Sequence, residues 1–214
     1  MSDILDRLAM LKLIPMVVMD RVEHAGAFGD ALVAGGLPVA EITFRTPAAE
    51  QSVRVLARRG DVLVGAGTIL TTEQADRAID AGAQFLVAPG TNPEVVEHVV
   101  MRGVPMVPGI ATPSEIELAI SLGATALKFF PAETMGGVAA LKAFAGPYPD
   151  ARFIPTGGIT PELLPSYLQL KNVVACGGSW LAPRELLAAG RFDAIAALIG
   201  DAKKLLAGPP DIAT

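Results

Sequence analysis

The sequence predicts an α/β fold, a single-domain (β/α)8 TIM barrel over residues 1–214, from three observations. Glycines close helix-like segments at Gly36, Gly60, Gly82, Gly103, Gly123 and Gly146, with successive separations of 24, 22, 21, 20 and 23 residues. Eight short apolar runs fall between such marks, too continuous for a sheet with one face in water, as parallel strands covered by helices require. Residues suited to capping precede the helix-like segments: Thr46-Pro47, Asn92-Pro93, Thr112-Pro113 and Thr160-Pro161 set a cap before proline, and Thr112 with Glu115 and Thr71 with Gln74 have capping-box spacing.

The first run, IPMVVM (14–19), ends at Met19-Asp20 without the glycine fingerprint that a doubly wound open sheet more often carries there. VAEITFR (39–45) alternates, placing Glu41, Thr43 and Arg45 on one face and Ala40, Ile42 and Phe44 on the other. VLVGAGTI (62–69) sets Thr68 at its end. FLVAPG (85–90) and VPMVPGI (104–110) are apolar throughout, and ALKFFPA (126–132) carries Lys128 in its middle. RFIPTGGI (152–159) and VVACGGSW (173–180) both run into paired glycines. Leucine-rich repeats share this period, but their L-x-x-L-x-L signature is missing. No linker divides the chain, and the tail from about 208, within GPPDIAT, is expected to be loose.

The bulk numbers exclude several classes. Hydrophobic residues make up 51% and charged ones 18%, which suits one large core rather than a disordered chain. A net charge of -5, with no basic run longer than Arg58-Arg59 or Lys203-Lys204, lacks a nucleic-acid footprint. The one cysteine, Cys176, rules out an internal disulfide and fits a reducing compartment, so cytoplasm is the default. The acidic start MSDILDR and the short LIPMVVM (13–19) give neither an export signal nor a membrane helix.

Lys128 is the residue that composition does not explain. It shares a face with Ala126 and Phe130, while Leu127 and Phe129 point the other way. If the polar faces of both strands point inward, Lys128 and Glu41 meet inside a partly dry barrel. An internal ion pair that merely fills space is one reading. Catalysis is the other, because sites in this fold gather at the C-terminal ends of strands and a desolvated lysine more readily supplies the neutral amine that attacks a carbonyl carbon.

The loops PTGGIT (155–160) and CGGSW (176–180) follow the seventh and eighth strands, where barrels commonly hold phosphate on backbone amides. Each alone is equally a tight turn, and Ser179 equally a helix cap. His24 and His98 fall in helical segments away from the strand ends, Cys176 and Trp180 suit core packing, and Lys142 suits a solvated helix face.

Together AEITFRTP, VGAGTIL, GAQFLVAPG, PMVPGIATPSE, KFFPAE, GPYPDARFIPTGGIT and GGSWLAP resemble, in order and spacing, the class I 2-keto-3-deoxy-6-phosphogluconate (KDPG) aldolases, which often also act on 4-hydroxy-2-oxoglutarate. The resemblance implies a Schiff base on Lys128 and proton transfer by Glu41. It implies that Arg45 and Thr68 hold the pyruvyl carboxylate, that Thr156 orients the substrate and that Pro89 and Phe130 line the pocket. Gly157, Gly158, Gly178 and Ser179 would bind phosphate. It further implies a homotrimer of barrels, no metal or organic cofactor, small keto-acid and aldehyde substrates, and a place in the Entner-Doudoroff pathway. Some relatives carry a basic residue at the end of strand one, where this chain has Met19-Asp20. A phosphosugar isomerase and a catalytically silent phosphosugar-binding barrel are the rival readings, the first disfavoured by a keto-acid clamp at Arg45 and Thr68.

Overall fold

The computed structural model describes residues 2–206. A leading helix α1 (Ser2–Leu11) buries Leu5 and Leu8, and strand and helix then alternate. In order these are β1 (Leu13–Val17), α2 (His24–Ala34), β2 (Val39–Thr43), α3 (Ala49–Arg59), β3 (Leu63–Gly67), α4 (Thr72–Asp80), β4 (Leu86–Val87) and α5 (Pro93–Met101). The chain continues through β5 (Met106–Val107), β6 (Gly109–Ile110), α6 (Pro113–Ser121), β7 (Leu127–Phe129), α7 (Gly137–Phe144), β8 (Phe153–Pro155) and α8 (Leu164–Leu168). Last come β9 (Cys176–Gly178), a 3-10 turn (Ser179–Leu181), α9 (Arg184–Ala188) and α10 (Phe192–Leu206). The tail expected to be loose lies outside the described residues.

Each of the eight apolar runs holds a strand, and the strands pair in parallel. They form a six-stranded curled sheet, ordered β5-β4-β3-β2-β1-β9, and a three-stranded one, β6-β7-β8. The fifth run divides because Pro108 has no N–H to give the ladder, although its carbonyl still accepts from the Lys128 amide at 2.8 Å. At the other edge, single bridges Thr156–Gly177 and Phe153–Val173 join β8 and its end to the chain of β9. All five residues of β2 and all five of β3 are buried, as strands covered on both faces must be.

The helix side of the sheets is apolar, as the alternation predicts. Phe129 meets Phe144 of α7 edge-on at 6.0 Å between ring centroids, and Phe144 leans on Phe153 at 6.1 Å. The caps divide. Asn92, Thr71 and Thr112 cap α5, α4 and α6 through their side chains, and Thr112 with Glu115 completes a reciprocal capping box. Thr46 and Thr160 do not cap: Thr46 donates its hydroxyl to the Met19 carbonyl, and α3 starts three residues on. The Thr160 carbonyl accepts from Leu163 and Leu164, so a turn intervenes before α8. Gly36, Gly60, Gly82, Gly103 and Gly123 adopt the left-handed conformation expected of helix-ending glycines, whereas Gly146 does not, α7 ending at Phe144 with Ala145 as a right-handed cap.

Candidate active site

Lys128 and Glu41 are each 3% exposed, and the lysine Nζ lies 3.5 Å from Glu41 Oε1. The backbone explains the meeting. β7 presents Lys128 between Gly109 and Ile154 on its neighbours, while β2 presents Glu41 between Met16 and Gly65, so the two approach from separate sheets across the interior. At 3.5 Å the contact is long for a charge-assisted hydrogen bond, which leaves the amine loosely held. Its other neighbour is the Phe130 ring, 5.3 Å from Nζ to centroid, an apolar wall whose face still favours a cation. No buried side-chain nitrogen or oxygen among the described residues lacks a hydrogen-bond partner, so Lys128 and Glu41 satisfy one another.

Gly67 makes room for this pair. A Cβ there would lie 2.0 Å from Glu41 Oε1, nearer than any real contact, and the backbone at Gly67 is not left-handed. The nearest conflict is therefore with the end of the Glu41 side chain. Gly67→Ala is expected to push Glu41 off Lys128 at a stability cost of about 1–3 kcal/mol for overpacking. A thermal melt read with pyruvate methyl-proton exchange checks this; unchanged exchange would mean that the carboxylate's position is unimportant.

Arg45 and Thr68 meet at the strand ends, the guanidinium Nε donating to Thr68 Oγ1 at 2.9 Å. Thr68 has φ 59, a left-handed conformation that a β-branched residue adopts only at a cost of about 1–3 kcal/mol. With its hydroxyl accepting from Arg45, a cation and a hydroxyl donor are joined at one spot. Thr156 is buried, and a Cβ on Gly177 would fall 2.4 Å from its Oγ1, so the hydroxyl lies directly over the β9 backbone. Pro89 is half-buried at the end of β4, its carbonyl packed on Gly109. Phe130, also half-buried, reaches the loop of Gly157.

Gly157 and Gly158 are both left-handed, with φ of 104 and 79, a backbone that glycine adopts without the penalty a side chain would bring. Gly178 is buried, and Ser179 is exposed at the start of the 3-10 turn. The Thr156–Gly177 bridge sets the two glycine loops next to each other. On the first strand Met19 is buried, and the carboxylate of Asp20 takes two hydrogen bonds from Arg184, at 2.7 and 2.8 Å. Those bonds hold the Asp20 carboxyl below its usual range. The end of strand one therefore presents an engaged acid. Neither this pair nor the need for Gly67 was anticipated; a charge at the end of β1 was the only signal for the first.

The remaining candidates lie apart. His98 on α5 pairs with Asp76 at 2.9 Å, and His24 packs edge-on to Phe192. Burial pushes the Cys176 thiol up to about 12, which makes it an inert core residue. Lys142 is exposed on α7. Among the described residues no helix is long and apolar enough to cross a membrane.

The family model described as KDPG and KHG aldolase matches residues 4–198. A 2-dehydro-3-deoxy-phosphogluconate aldolase of Treponema pallidum is 47% identical over 199 residues, covering 92% of this chain and 95% of its own. The KHG/KDPG aldolase of Escherichia coli strain K12 is 44% identical, covering 88% and 89%. Among solved structures, a KDPG aldolase of Legionella pneumophila with pyruvate captured as a covalent carbinolamine intermediate superposes with a TM-score of 0.89. It is 36% identical, with 92% of this chain and 97% of that one covered.

Proposed function

We propose that this chain, which belongs to the KDPG and KHG aldolase family, cleaves 2-dehydro-3-deoxy-6-phosphogluconate to pyruvate and glyceraldehyde 3-phosphate through a Schiff base on Lys128. The observation that carries the reading is the buried amine of Lys128 facing the buried carboxylate of Glu41 at 3.5 Å. The amine attacks the C2 carbonyl of the keto acid, and water leaves as the imine forms. The protonated imine is an electron sink, so the C3–C4 bond breaks to an enamine rather than to an unstabilised carbanion. Glu41, through a water, takes the C4 hydroxyl proton during cleavage and returns a proton to the enamine.

Binding holds the two anionic ends of the substrate apart and lays the scissile bond over the lysine. Arg45 and Thr68 take the carboxylate, Thr156 orients the imine, Pro89 and Phe130 line the pocket, and Gly157, Gly158, Gly178 and Ser179 take the phosphate. The reading assigns no cofactor a role. A shorter acid, 4-hydroxy-2-oxoglutarate, fits the same lysine and clamp. The abutting edges of the two sheets support their closure into one (β/α)8 barrel, a single domain across the described residues. A homotrimer, on the strength of the sequence resemblance, and the cytoplasm, on the strength of the single cysteine, complete the reading.

A lactate dehydrogenase-coupled assay for pyruvate release tests the activity. A silent binding barrel would release none and form no borohydride-trapped adduct, and an isomerase would consume substrate without releasing pyruvate. Ser179→Asp tests the phosphate end. A carboxylate there lies a few ångströms from a bound phosphate, and the repulsion amounts to several kcal/mol at an effective dielectric near ~20. The Michaelis constant for the phosphorylated acid should rise while borohydride trapping with pyruvate survives. Equal damage to phosphorylated and unphosphorylated substrates would remove the glycine loops from the phosphate site.

A further inference from the structure

Glu133, five residues beyond Lys128, holds the first glycine loop at two points. Its backbone N–H donates to the Gly157 carbonyl at 3.1 Å, next to the bond from the Ala132 amide to Thr156 at 2.9 Å. Its carboxylate accepts the hydroxyl of Tyr167, which lies beyond the loop on α8. The segment from Gly157 to Tyr167 is thus bracketed by one residue, main chain at its start and side chain at its end. The fit is close: a Cβ on Gly158 would come within 2.8 Å of Glu133 Cβ, and one on Gly137 within 2.9 Å of Glu133 Oε1 and 3.0 Å of the Tyr167 oxygen. The Tyr167 side chain is wholly buried, so its hydroxyl has to be spent inside the protein, and this carboxylate is where it goes.

We propose that the Tyr167–Glu133 hydrogen bond positions the Gly157–Gly158 amides for the phosphate end of the substrate and so sets the preference for phosphorylated over unphosphorylated keto acids. The inference rests on the assignment of these loops to phosphate made above. Tyr167 remains a donor throughout the neutral range, because burial and then the bond to Glu133 hold its phenol far above the usual value. The contribution of Glu133 to the bond is the oxygen that accepts from Tyr167, which a carboxamide also offers. Neither side chain hydrogen-bonds to Lys128, Glu41 or Arg45, so the chemical steps proceed without them.

Tyr167→Phe keeps the buried ring and deletes only the hydroxyl. Its Michaelis constant for 2-dehydro-3-deoxy-6-phosphogluconate should rise about three- to tenfold, the worth of one hydrogen bond, with kcat held. Cleavage of 4-hydroxy-2-oxoglutarate and exchange of pyruvate methyl protons should match the parent. Glu133→Ala should behave like Tyr167→Phe, whereas Glu133→Gln, which keeps an acceptor oxygen, should restore the parent constant. Inorganic phosphate should compete with the phosphorylated substrate in the parent and more weakly in Tyr167→Phe. If phosphate competes equally in both, or if Tyr167→Phe impairs both substrates alike, the loop assignment stands and the positioning role is overturned. If phosphate does not compete even in the parent, the loop assignment fails and takes this inference with it. A Glu133→Gln variant as impaired as Glu133→Ala would also overturn it.

Discussion

Lys128→Ala is expected to abolish pyruvate release and to leave nothing for borohydride to trap, while the protein stays folded. The loss is complete because no other amine is buried among the described residues: Lys142 is exposed on α7, and Lys203 donates to the Gly36 carbonyl on the outside. Without a nitrogen to form the imine there is no electron sink, and the C3–C4 bond has no route to an enamine. The fold survives because the change only deletes side-chain atoms and overpacks nothing, and the space it opens beside the Glu41 carboxylate is polar and roomy enough for water. Mass spectrometry of the parent after reduction with pyruvate should find the adduct on Lys128, and an adduct on Lys142 would overturn the assignment. A melting curve of Lys128→Ala close to that of the parent completes the test, since an inactive but unfolded variant would say nothing about the amine.

Where the chain reports a local physical requirement, its sequence is readable. Alternation in VAEITFR and ALKFFPA places Glu41 and Lys128 on facing strands because a side-chain period of two leaves only two faces, and one of them has to be apolar. Asn92, Thr71 and Thr112 read correctly as caps because the groups they accept from are amides two or three residues ahead on their own helices. Thr46 and Thr160 misread because a tertiary acceptor or an intervening turn claims them, and neither is visible in four residues of sequence. The break at Pro108 was foreseeable from proline's missing donor, whereas α1 was not read as a helix at all.

The site divides in the same way. Arg45 and Thr68 are joined by a hydrogen bond across 23 positions, and only the likeness of AEITFRTP and VGAGTIL to a known family paired them beforehand. Gly67 was legible as part of that motif, but its purpose depends on where the Glu41 side chain goes, which is a matter of packing. Tyr167 carried no signal, standing in an ordinary amphipathic stretch, and its link to Glu133 spans 34 positions. Asp20 and Arg184, 164 positions apart, are brought together because β1 and β9 are neighbours in the sheet.

Glu41→Gln should keep the shape of the site and lose its proton carrier. Glutamine has the outline of glutamate, so the space left by Gly67 still fits it, and its Oε1 still lies within reach of the Lys128 amine. What it cannot do is accept a proton from the C4 hydroxyl or hand one to the enamine. Turnover should therefore fall by roughly two to four orders of magnitude, the usual cost of removing a general acid–base group. Stability should change far less than in Gly67→Ala, because nothing is overpacked, and that contrast separates the chemistry of the carboxylate from its placement. Borohydride should still trap an adduct on Lys128, more slowly, since imine formation also moves protons. Exchange of pyruvate methyl protons into deuterated water, followed by NMR, isolates the enamine step from carbon–carbon cleavage. Exchange that collapses along with cleavage would identify Glu41 as the group that moves protons in both. Exchange at the parent rate would mean that Glu41 only fills the space beside the lysine, and that the proton is carried by a group outside the Lys128–Glu41 pair.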